Sequence, residues 1–594
     1  MMQFESLANE LLLDLFEFFD TYYLLHAFFG LNHRFNQLVY IHFRIHQLNF
    51  QSISKEHFDL VCQKYLPLII DKITSIRLSN EETPNLPELL LTRGFTLDRF
   101  IHLQSLSLYK IHSLDTLIQI TSQLQHLHYL THFMMIYCSV SWWRDDAGFV
   151  LFKNICNIPN LTHCNLSSIQ TISIRFSEIL IVSSSIENLS MENITCNLHA
   201  LSNLFKCTPH LQRLCTTVDL SSMDEQLEFV IPSIISLKLS FRGSFESMNN
   251  VFQKMPNLCY LTIDTSGIYL NGYTWEQIII HYLPKLKIFQ LKMDFEFTDY
   301  NNIQEQIDEL LNSFRSEFWL VEHQWFVECY WNPSDFNRCI TLYTLPYVFN
   351  TFNYSDEYHF KSTCIHKEIY CKYKSVQFFS YNNLENSWFN NFTPFFGCFP
   401  NIRHMDIELP LKNELYSYNL KLNQLISLNV KLRNSYDYYQ LQTILDYAPR
   451  LYLLKVNAVH RFYTGLFQLR SKSIRRLDLI DTQVKNWYHL TIDDSAKLIS
   501  SPLVLQCEVI SVRMKNRRSV LNLIQNVSNI RSLIFQCEDD QQLYVETHNL
   551  ELDPVYWLQN RLPSTYSITR NLEKSSIIQV WIDQKIKRQR MTIS

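Results

Sequence analysis

The sequence predicts an α/β fold in which short parallel strands alternate with helices, because one apolar pattern returns along most of its 594 residues. The pattern is clearest at Leu258, Leu261 and Ile263, where apolar side chains at offsets 0, +3 and +5 suit a tight turn leading into a short strand. Copies begin at positions 186, 211, 234 and 258, so neighbouring copies are 25, 23 and 24 residues apart. Chance would explain one or two such triplets in a chain that is 47% hydrophobic, but not a series at related intervals.

Proline marks the start of several copies, two residues before the first apolar position. These prolines are Pro159, Pro209, Pro256, Pro284, Pro400 and Pro449. Proline there would end the preceding helix, since it cannot continue the hydrogen-bond ladder and disfavours helical geometry just before it. Helix, proline, turn and strand then make one repeat of the chain.

The pattern and its period resemble a leucine-rich repeat. The resemblance implies an irregular solenoid, that is, a curved parallel sheet with helices on its outer side. The sequence departs from the family at the ninth position, where residues such as Ile111 and Met135 stand in place of Asn or Cys. The usual asparagine ladder is therefore absent, and we expect irregular repeats.

The apolar pattern of residues 4–40 predicts three short helices. Their apolar faces are wider than one small core needs, so part of the apolar surface would be left for a partner. This stretch resembles the F-box, although Ala8 replaces the proline of the family and Phe35 replaces its tryptophan. The resemblance implies that the bundle docks on the Skp adaptor of a Skp–cullin–F-box ubiquitin ligase. The residues expected to make this contact, some of which would instead face the bundle's own core, are Leu7, Glu10, Leu11, Leu12, Leu15, Phe16, Leu24 and Leu25. The alternative is that the bundle only caps the first repeat.

The sequence divides into five segments. An F-box-like domain over residues 1–45 is followed by a helical linker over 46–72 and by a first arc of leucine-rich repeats over 73–296. The regular spacing of the apolar pattern is lost over residues 297–400, which indicates inserted or degenerate repeats. A second arc over 401–594 ends in a helix and a strand, which are typical of a C-terminal cap.

Composition excludes several classes of function. The net charge of −5 and the pI near 6.5 do not suggest a nucleic-acid binder, which would show a basic excess. Only 8 glycines leave little room for phosphate-cradling loops, and no common catalytic motif occurs. The 15 cysteines contain no C-x-x-C pair, which favours a reduced protein of the cytoplasm or nucleus. Acidic residues interrupt the apolar stretch 11–31, so we expect no membrane span.

Metal and cofactor sites are not predicted. His42 and His46 are four residues apart and could share one face of a helix as metal ligands, but no third ligand is evident nearby. Packing or surface roles are the simpler interpretation of these two histidines. We therefore expect no cofactor and no catalytic residue, and predict that the chain is not an enzyme.

A binding surface is expected on the concave side of the sheet, from residues that lie between the apolar positions of each strand. The predicted target-binding residues are Lys238, Tyr260, Lys287, Arg403, His404, Asp406, Tyr452, Lys455, Arg475, Arg476 and Asp478. Four basic residues of the second arc are roughly aligned, which would suit an acidic or phosphorylated partner segment. The alternative is that these are ordinary solvated side chains.

The combined resemblance implies a substrate-recognition adaptor of a Skp–cullin–F-box ubiquitin ligase, in which the bundle binds the Skp subunit and the repeats hold a target protein. A repeat scaffold or sensor without a ubiquitin role is the alternative. The two readings differ in the N-terminal bundle, because a docking bundle leaves apolar side chains uncovered and a cap buries them.

Overall fold

Two units make up the chain, and each is described by itself. The computed structural model describes residues 4–138, 146–173, 182–183, 185–220, 225–297, 302–333, 339–355, 357–364, 372–381, 399–410, 422–433, 437–458, 463–480, 489–538, 553–571 and 575–584. Unit 1 comprises Met1–Asp219, Glu225–Ile234 and Asn549–Ser594, and unit 2 comprises Leu220–Asp224 and Ile235–His548.

Unit 1 begins with three helices, α1 (Asn9–Phe16), α2 (Thr21–Phe28) and α3 (His33–Ile45). Side chains of Asp20 and Asn32 accept hydrogen bonds from backbone N–H groups in the first turns of α2 and α3, so both helices start at a satisfied cap. A predicted bundle of three short helices is therefore present.

Helical structure continues from the bundle into the first repeat. A short strand, β1 (Leu48–Asn49), precedes α4 (Lys55–Leu60), a π-helical turn (Val61–Tyr65) and α5 (Leu66–Ile69). Pro67 stands in the first turn of α5, where the missing N–H costs no hydrogen bond.

Seven parallel strands of unit 1 pair in chain order. After β1 they are β2 (Ser75–Ser79), β3 (Ser105–Tyr109), β4 (His132–Ile136), β5 (His163–Ser173), β6 (Asn188–Cys196) and β7 (Arg213–Asp219). The helices described between them are α6 (Leu86–Thr92), α7 (Leu114–Gln123), α8 (Asp146–Cys156) and α9 (Leu198–Cys207). The predicted strand-and-helix repeat is confirmed here.

Unit 2 starts with the same repeat. Strands β8 (Ser236–Arg242), β9 (Tyr260–Ser266) and β10 (Ile288–Phe295) are parallel, and α10 (Phe245–Gln253), α11 (Gly272–Tyr282) and α12 (Ile303–Ser313) follow them in turn. Burial alternates along these strands, so Leu261 and Ile263 are fully buried while Tyr260 is 44% exposed. The apolar offsets read from the sequence thus mark the core side of each strand.

The repeat changes character within residues 297–400. The first four strands described in this segment are β11 (Phe326–Trp331), β12 (Ile340–Leu345), β13 (Thr351–Tyr354) and β14 (His359–Ser362). Strand β12 pairs antiparallel with both β10 and β11, and β11 pairs antiparallel with β14. An antiparallel insertion therefore interrupts the parallel order.

A second parallel series of unit 2 begins at β13. It continues through β15 (Phe378–Tyr381), β16 (His404–Leu409), β17 (Ser427–Leu432), β18 (Leu453–Ala458), β19 (Arg476–Asp478), β20 (Val509–Met514) and β21 (Ser532–Cys537). Its helices are α13 (Asp437–Asp446), α14 (Tyr463–Leu466), α15 (Ile492–Ser500), α16 (Pro502–Gln506) and α17 (Arg517–Asn526). Both series have one parallel strand per repeat, and the described helices lie between successive strands.

The C-terminal segment belongs to unit 1. It contains α18 (Pro554–Gln559) and an antiparallel hairpin of β22 (Ser567–Arg570) and β23 (Ile577–Trp581). Trp581 is fully buried, with its ring centroid 5.5 Å from that of Phe58 in α4. Residues more than 500 positions apart in the sequence thus share one core.

Candidate protein-interaction surfaces

The core of the N-terminal bundle contains half of the residues predicted to contact an adaptor. Leu12, Phe16, Leu24 and Leu25 have no exposed surface. Leu12 and Phe16 are four residues apart on the same side of α1, and the ring of Phe16 packs against Phe28 of α2 with centroids 4.7 Å apart. The prediction that these four side chains form a docking surface is therefore wrong.

The remaining predicted docking residues lie on the outside of α1. Leu11 is 56% exposed and Glu10 is exposed, while Leu7 and Leu15 are partly buried. Phe18, in the turn that ends α1, is 86% exposed. We name Leu11, Leu15 and Phe18 the apolar flank: Leu11 and Leu15 are four residues apart on one side of α1, and Phe18 follows in the turn after the helix.

The start of α1 is held by a side chain of α3 instead of a cap of its own. Ala8 provides no side-chain cap. Arg34 donates from Nε to Asn9 Oδ1 at 2.9 Å and from its two terminal nitrogens to the carbonyl oxygens of Glu5 and Leu7. This contact fixes the direction of α1 and with it the position of the apolar flank.

One side of α2 is covered by the segment that leads to the first repeat. The ring of Tyr22 stacks on His57 with centroids 3.8 Å apart, and His26 Nδ1 lies 3.1 Å from Tyr65 Oη. Thr21 donates to the carbonyl oxygen of Asn49 at 2.8 Å. The bundle therefore shields the adjoining core through α2, while the apolar flank of α1 stays uncovered in the described chain.

The open face of the sheet, opposite the core side, carries the predicted target-binding residues in two kinds of position. Lys238, Tyr260, His404, Asp406, Lys455, Arg476 and Asp478 lie within strands β8, β9, β16, β18 and β19. Lys287, Arg403, Tyr452 and Arg475 each stand directly before the first residue of a strand. The backbone N–H of each of these four donates to a carbonyl in the preceding repeat, at 2.8 to 3.0 Å. They therefore extend the ladder at the edge of the open face.

Arg476 does not have the predicted exposure. It is only 9% exposed, and its register partner Val509 in β20 is fully buried. Arg513, on the same side of β20, is 6% exposed. The open face is thus covered at β19 and β20, so Arg476 is not available to a partner there.

An acidic residue lies beside one member of the predicted basic stripe, and further ion pairs occur on nearby repeats. Arg475 Nε lies 3.8 Å from Glu508 Oε1. On the neighbouring repeats, Glu408 Oε1 lies 2.5 Å from Arg433 Nε and 3.0 Å from Lys431 Nζ. This part of the open face has mixed charge, which does not favour a purely acidic or phosphorylated partner segment.

Two of the predicted residues have shifted proton affinities. His404 stacks on the ring of Phe378 at 4.4 Å, and burial together with Arg403 lowers the pKa of this histidine. Burial raises the pKa of Asp406. Both shifts are towards the neutral form of the side chain, and the contact of His404 with Phe378 adds aromatic stacking to this part of the open face.

A buried polar cluster in the antiparallel insertion escaped sequence analysis. Glu328 Oε2 accepts hydrogen bonds from Tyr343 Oη at 2.8 Å and from Tyr373 Oη at 2.5 Å, and Lys372 Nζ lies 3.2 Å from Glu328 Oε1. Burial raises the pKa of Tyr343 well above its usual range. The partners are separated by 15 to 45 residues, so no local motif signals the cluster. Its satisfied hydrogen bonds indicate a structural role.

Two classes of site receive no support from the described residues. Within the ranges given above, no group of three or more His, Cys, Asp or Glu side chains is placed to hold a metal ion. No helix in the same ranges has the length and apolar character needed to cross a membrane.

Comparisons with known proteins do not identify a family for this chain. No family model matches the sequence, and no curated protein matches it. Among solved structures, a chain in the crystal structure of a TLR13–ssRNA13 complex matches 79% of this chain at 14% identity, with a TM-score of 0.24. The match spans 62% of that chain, which is less than two thirds of its length. The repeat architecture rests on the strand order itself.

Proposed function

We propose that this chain is a substrate-recognition adaptor of a Skp–cullin–F-box ubiquitin ligase in the cytoplasm or nucleus. Its N-terminal bundle would bind the Skp subunit and its repeats would bind a target protein. The observation that carries the proposal is the apolar flank of α1, where Phe18 is 86% exposed. Exposed apolar surface beside a well-packed core is typical of a protein-interaction site.

In this role the chain would catalyse no reaction. It would raise the effective concentration of the target near the ubiquitin-loaded enzyme by holding both in one complex. Long repeat sheets suit this task, because they present an extended face of strands to a partner. The mixed charge of the open face would then select the target by complementary pattern.

A repeat scaffold without a ubiquitin role is the second candidate. The observation that favours it is the covered side of α2, where Tyr22 stacks on His57 at 3.8 Å. The bundle therefore shields part of the neighbouring core, as a simple cap would. Ala8 and Phe35, which depart from the F-box pattern, also favour this candidate.

Binding of purified Skp adaptor to the full-length chain separates the two candidates. We expect Leu11→Asp/Phe18→Asp to weaken binding at least about tenfold, since charges on a docking surface lose apolar contact and must be desolvated. The matched control is Ile280→Asp/Val321→Asp, which places the same charges on side chains that are 50% and 64% exposed in unit 2. Circular dichroism verifies that both variants are folded.

Adaptor binding that is lost in the Leu11/Phe18 variant and retained in the control supports the proposal. Absence of binding by the unaltered chain, or equal binding by both variants, would overturn it in favour of the scaffold. Leu12 and Phe16 are unsuitable for this test, because charges at fully buried positions would unfold the bundle.

A further inference from the structure

A row of polar side chains crosses four neighbouring strands on the open face of unit 1. His132 of β4, His163 of β5, Asn188 of β6 and Arg213 of β7 are register partners in turn. Each is the first residue of its strand, and the residue that follows it is buried in the core. The four side chains therefore share the open face, with adjacent members one strand spacing, about 4.8 Å, apart. We name these four residues the histidine row.

The two histidines of the row stack on one another. Their ring centroids lie 4.3 Å apart, and the planes of the rings differ by 11°. Both residues are exposed, so a partner can reach them. Two imidazolium charges at this separation repel each other, so the pair takes up its second proton less readily than its first.

Threonine hydroxyls fix where the ring protons lie. Thr131 Oγ1 donates to the carbonyl oxygen of Gln104 at 3.2 Å and lies 2.9 Å from His132 Nδ1. A hydroxyl has one hydrogen to donate, so His132 Nδ1 carries the ring proton and donates it to Oγ1. Thr162 holds the Nδ1 atom of His163 in the same way, at 2.9 Å. Nε2 is therefore the atom at which each ring takes up a second proton.

Protonation turns the row into a cationic surface. Burial and the neighbouring His163 lower the pKa of His132, so this ring is neutral at pH 7.5. In the neutral state Nε2 of His163 is an acceptor, and Asn188 Nδ2 lies 3.1 Å from it. An added proton gives a ring a second N–H donor and a full positive charge. Arg213 adds a permanent positive charge at the end of the row.

Neighbouring acids do not neutralise this row. The strands that flank the histidines, β3 to β6, contain one acidic or basic residue besides the histidines, Glu192 in the middle of β6. The turns before these strands contribute Glu187, His102 and His128. Within the described ranges, Arg213 forms no ion pair and neither glutamate contacts a member of the row. The row thus differs from the open face near β16 to β19, where acids lie beside the basic residues.

We propose that the histidine row binds an acidic segment of a partner polypeptide, whose carboxylates contact the histidine pair and Arg213, and that docking is coupled to protonation of the pair. The row is three strand spacings long, about 14 Å, which is more than one carboxylate can span. An extended segment that crosses the strands reaches both ends, because its side chains four residues apart lie about 13 Å from one another. A nucleic acid is disfavoured as the partner, because the chain has a net charge of −5.

This inference deepens the proposed function, because it gives the chemistry of the segment that the repeats hold. It rests on the proposed function for the role of that segment as a ubiquitination target. The row itself can be tested without any Skp adaptor.

The probe is hexa-aspartate with acetyl and amide ends and a rhodamine label, and its neutral control is hexa-asparagine. Fluorescence anisotropy measures the binding of each to the full-length chain. We expect hexa-aspartate to bind at least about fivefold more tightly at pH 5.5 than at pH 7.5. Carboxylates favour the charged form of the histidines, so the complex takes up protons and its affinity rises as pH falls. The aspartates of the probe stay ionised over this range.

The variant His132→Gln/His163→Gln removes the groups that take up the protons and keeps polar side chains in their place. We expect it to lose the rise of affinity between pH 7.5 and pH 5.5. The matched control is His126→Gln/His281→Gln, which removes two exposed histidines of helical segments outside the row. This control should retain the rise in full. Circular dichroism verifies that both variants are folded.

Arg213→Gln tests the other end of the row. We expect it to weaken the binding of hexa-aspartate about fivefold or more at both pH values, because it removes a permanent charge that the carboxylates contact. The matched control is Arg44→Gln, an exposed arginine at the end of α3, which should leave binding unchanged.

The overall charge of the chain also becomes more positive over this range, because its pI is near 6.5. An equal rise of affinity in the histidine-pair variant would therefore reflect overall charge and would overturn the proposal. Equal binding of hexa-aspartate and hexa-asparagine would overturn it too. Tighter binding of hexauridylate than of hexa-aspartate would do the same, since the partner would then be a nucleic acid.

The two proposals fail in different experiments. If hexa-aspartate binds through the row but Skp adaptor does not bind, the acidic-segment site stands and belongs to a scaffold. If adaptor binding depends on Leu11 and Phe18 but the probe does not bind, the docking flank stands and the acidic-segment site falls.

Discussion

Replacing His42 with phenylalanine should make the bundle more resistant to acid. The pKa of His42 is lowered to about 4 from an ordinary value of 6.5 by burial and by His46. The unfolded chain therefore binds more protons than the folded chain between these two values, so stability falls as pH drops from 6.5 towards 4. Well above pH 6.5 the histidine is neutral in both states and adds no pH dependence to stability.

The pKa difference sets the size of the effect. Between pH 7.5 and pH 5, a shift of this magnitude corresponds to about 2 kcal/mol of lost stability. We therefore expect His42→Phe to gain about 1 to 2 kcal/mol over the unaltered chain across this range. Phenylalanine keeps an aromatic ring at the position that packs against Phe16.

The assay compares unfolding of the two proteins at pH 7.5 and pH 5, with His102→Phe, which removes an exposed histidine, as the control. The difference between His42→Phe and the unaltered chain should widen towards low pH. A constant difference at both values, or a larger advantage at high pH, would refute the reasoning.

Two further substitutions test packing. Gly272→Ala should destabilise the fold by about 1 to 3 kcal/mol, measured as a lower unfolding temperature, because the added Cβ would lie 2.3 Å from the carbonyl oxygen of Ser313. The control Tyr273→Ala, on the exposed side of α11, should have little effect. Equal unfolding temperatures of the two variants would contradict this packing. Trp581→Ala should cost about 3 to 5 kcal/mol and expose the C-terminal segment to protease, because Trp581 is fully buried against Phe58. Unchanged protease resistance would show that the segment is held without this contact.

The repeat could be predicted from sequence because its signal is local. Offsets of three and five residues place Leu261 and Ile263 on the core side, and both are fully buried in β9. Pairing direction is not local, and the apolar residues of β11 and β12 do not differ between a parallel and an antiparallel neighbour. From the sequence alone, the antiparallel insertion is therefore visible only as an interruption of the repeating apolar pattern.

Exposure within the apolar helices was harder to predict, because it depends on neighbouring elements. Leu11 and Leu12 are adjacent leucines, yet one is 56% exposed and the other fully buried. The orientation of α1, set by Arg34, decides between them. The same reason applies to Arg476, which is buried by the packing of its neighbours even though its sequence position suggests an exposed face.

The two surfaces place different demands on their partners. The open face near β16 to β19 has acids beside its basic residues, as Glu508 beside Arg475 shows. A partner there gains specificity from matching an alternating pattern of charge, and gains less affinity, because each existing ion pair must be disturbed. The apolar flank of α1 has no such internal competition, since Phe18 loses only its contact with water when it is covered. Tight binding is therefore expected of the bundle, and selective binding of the repeats.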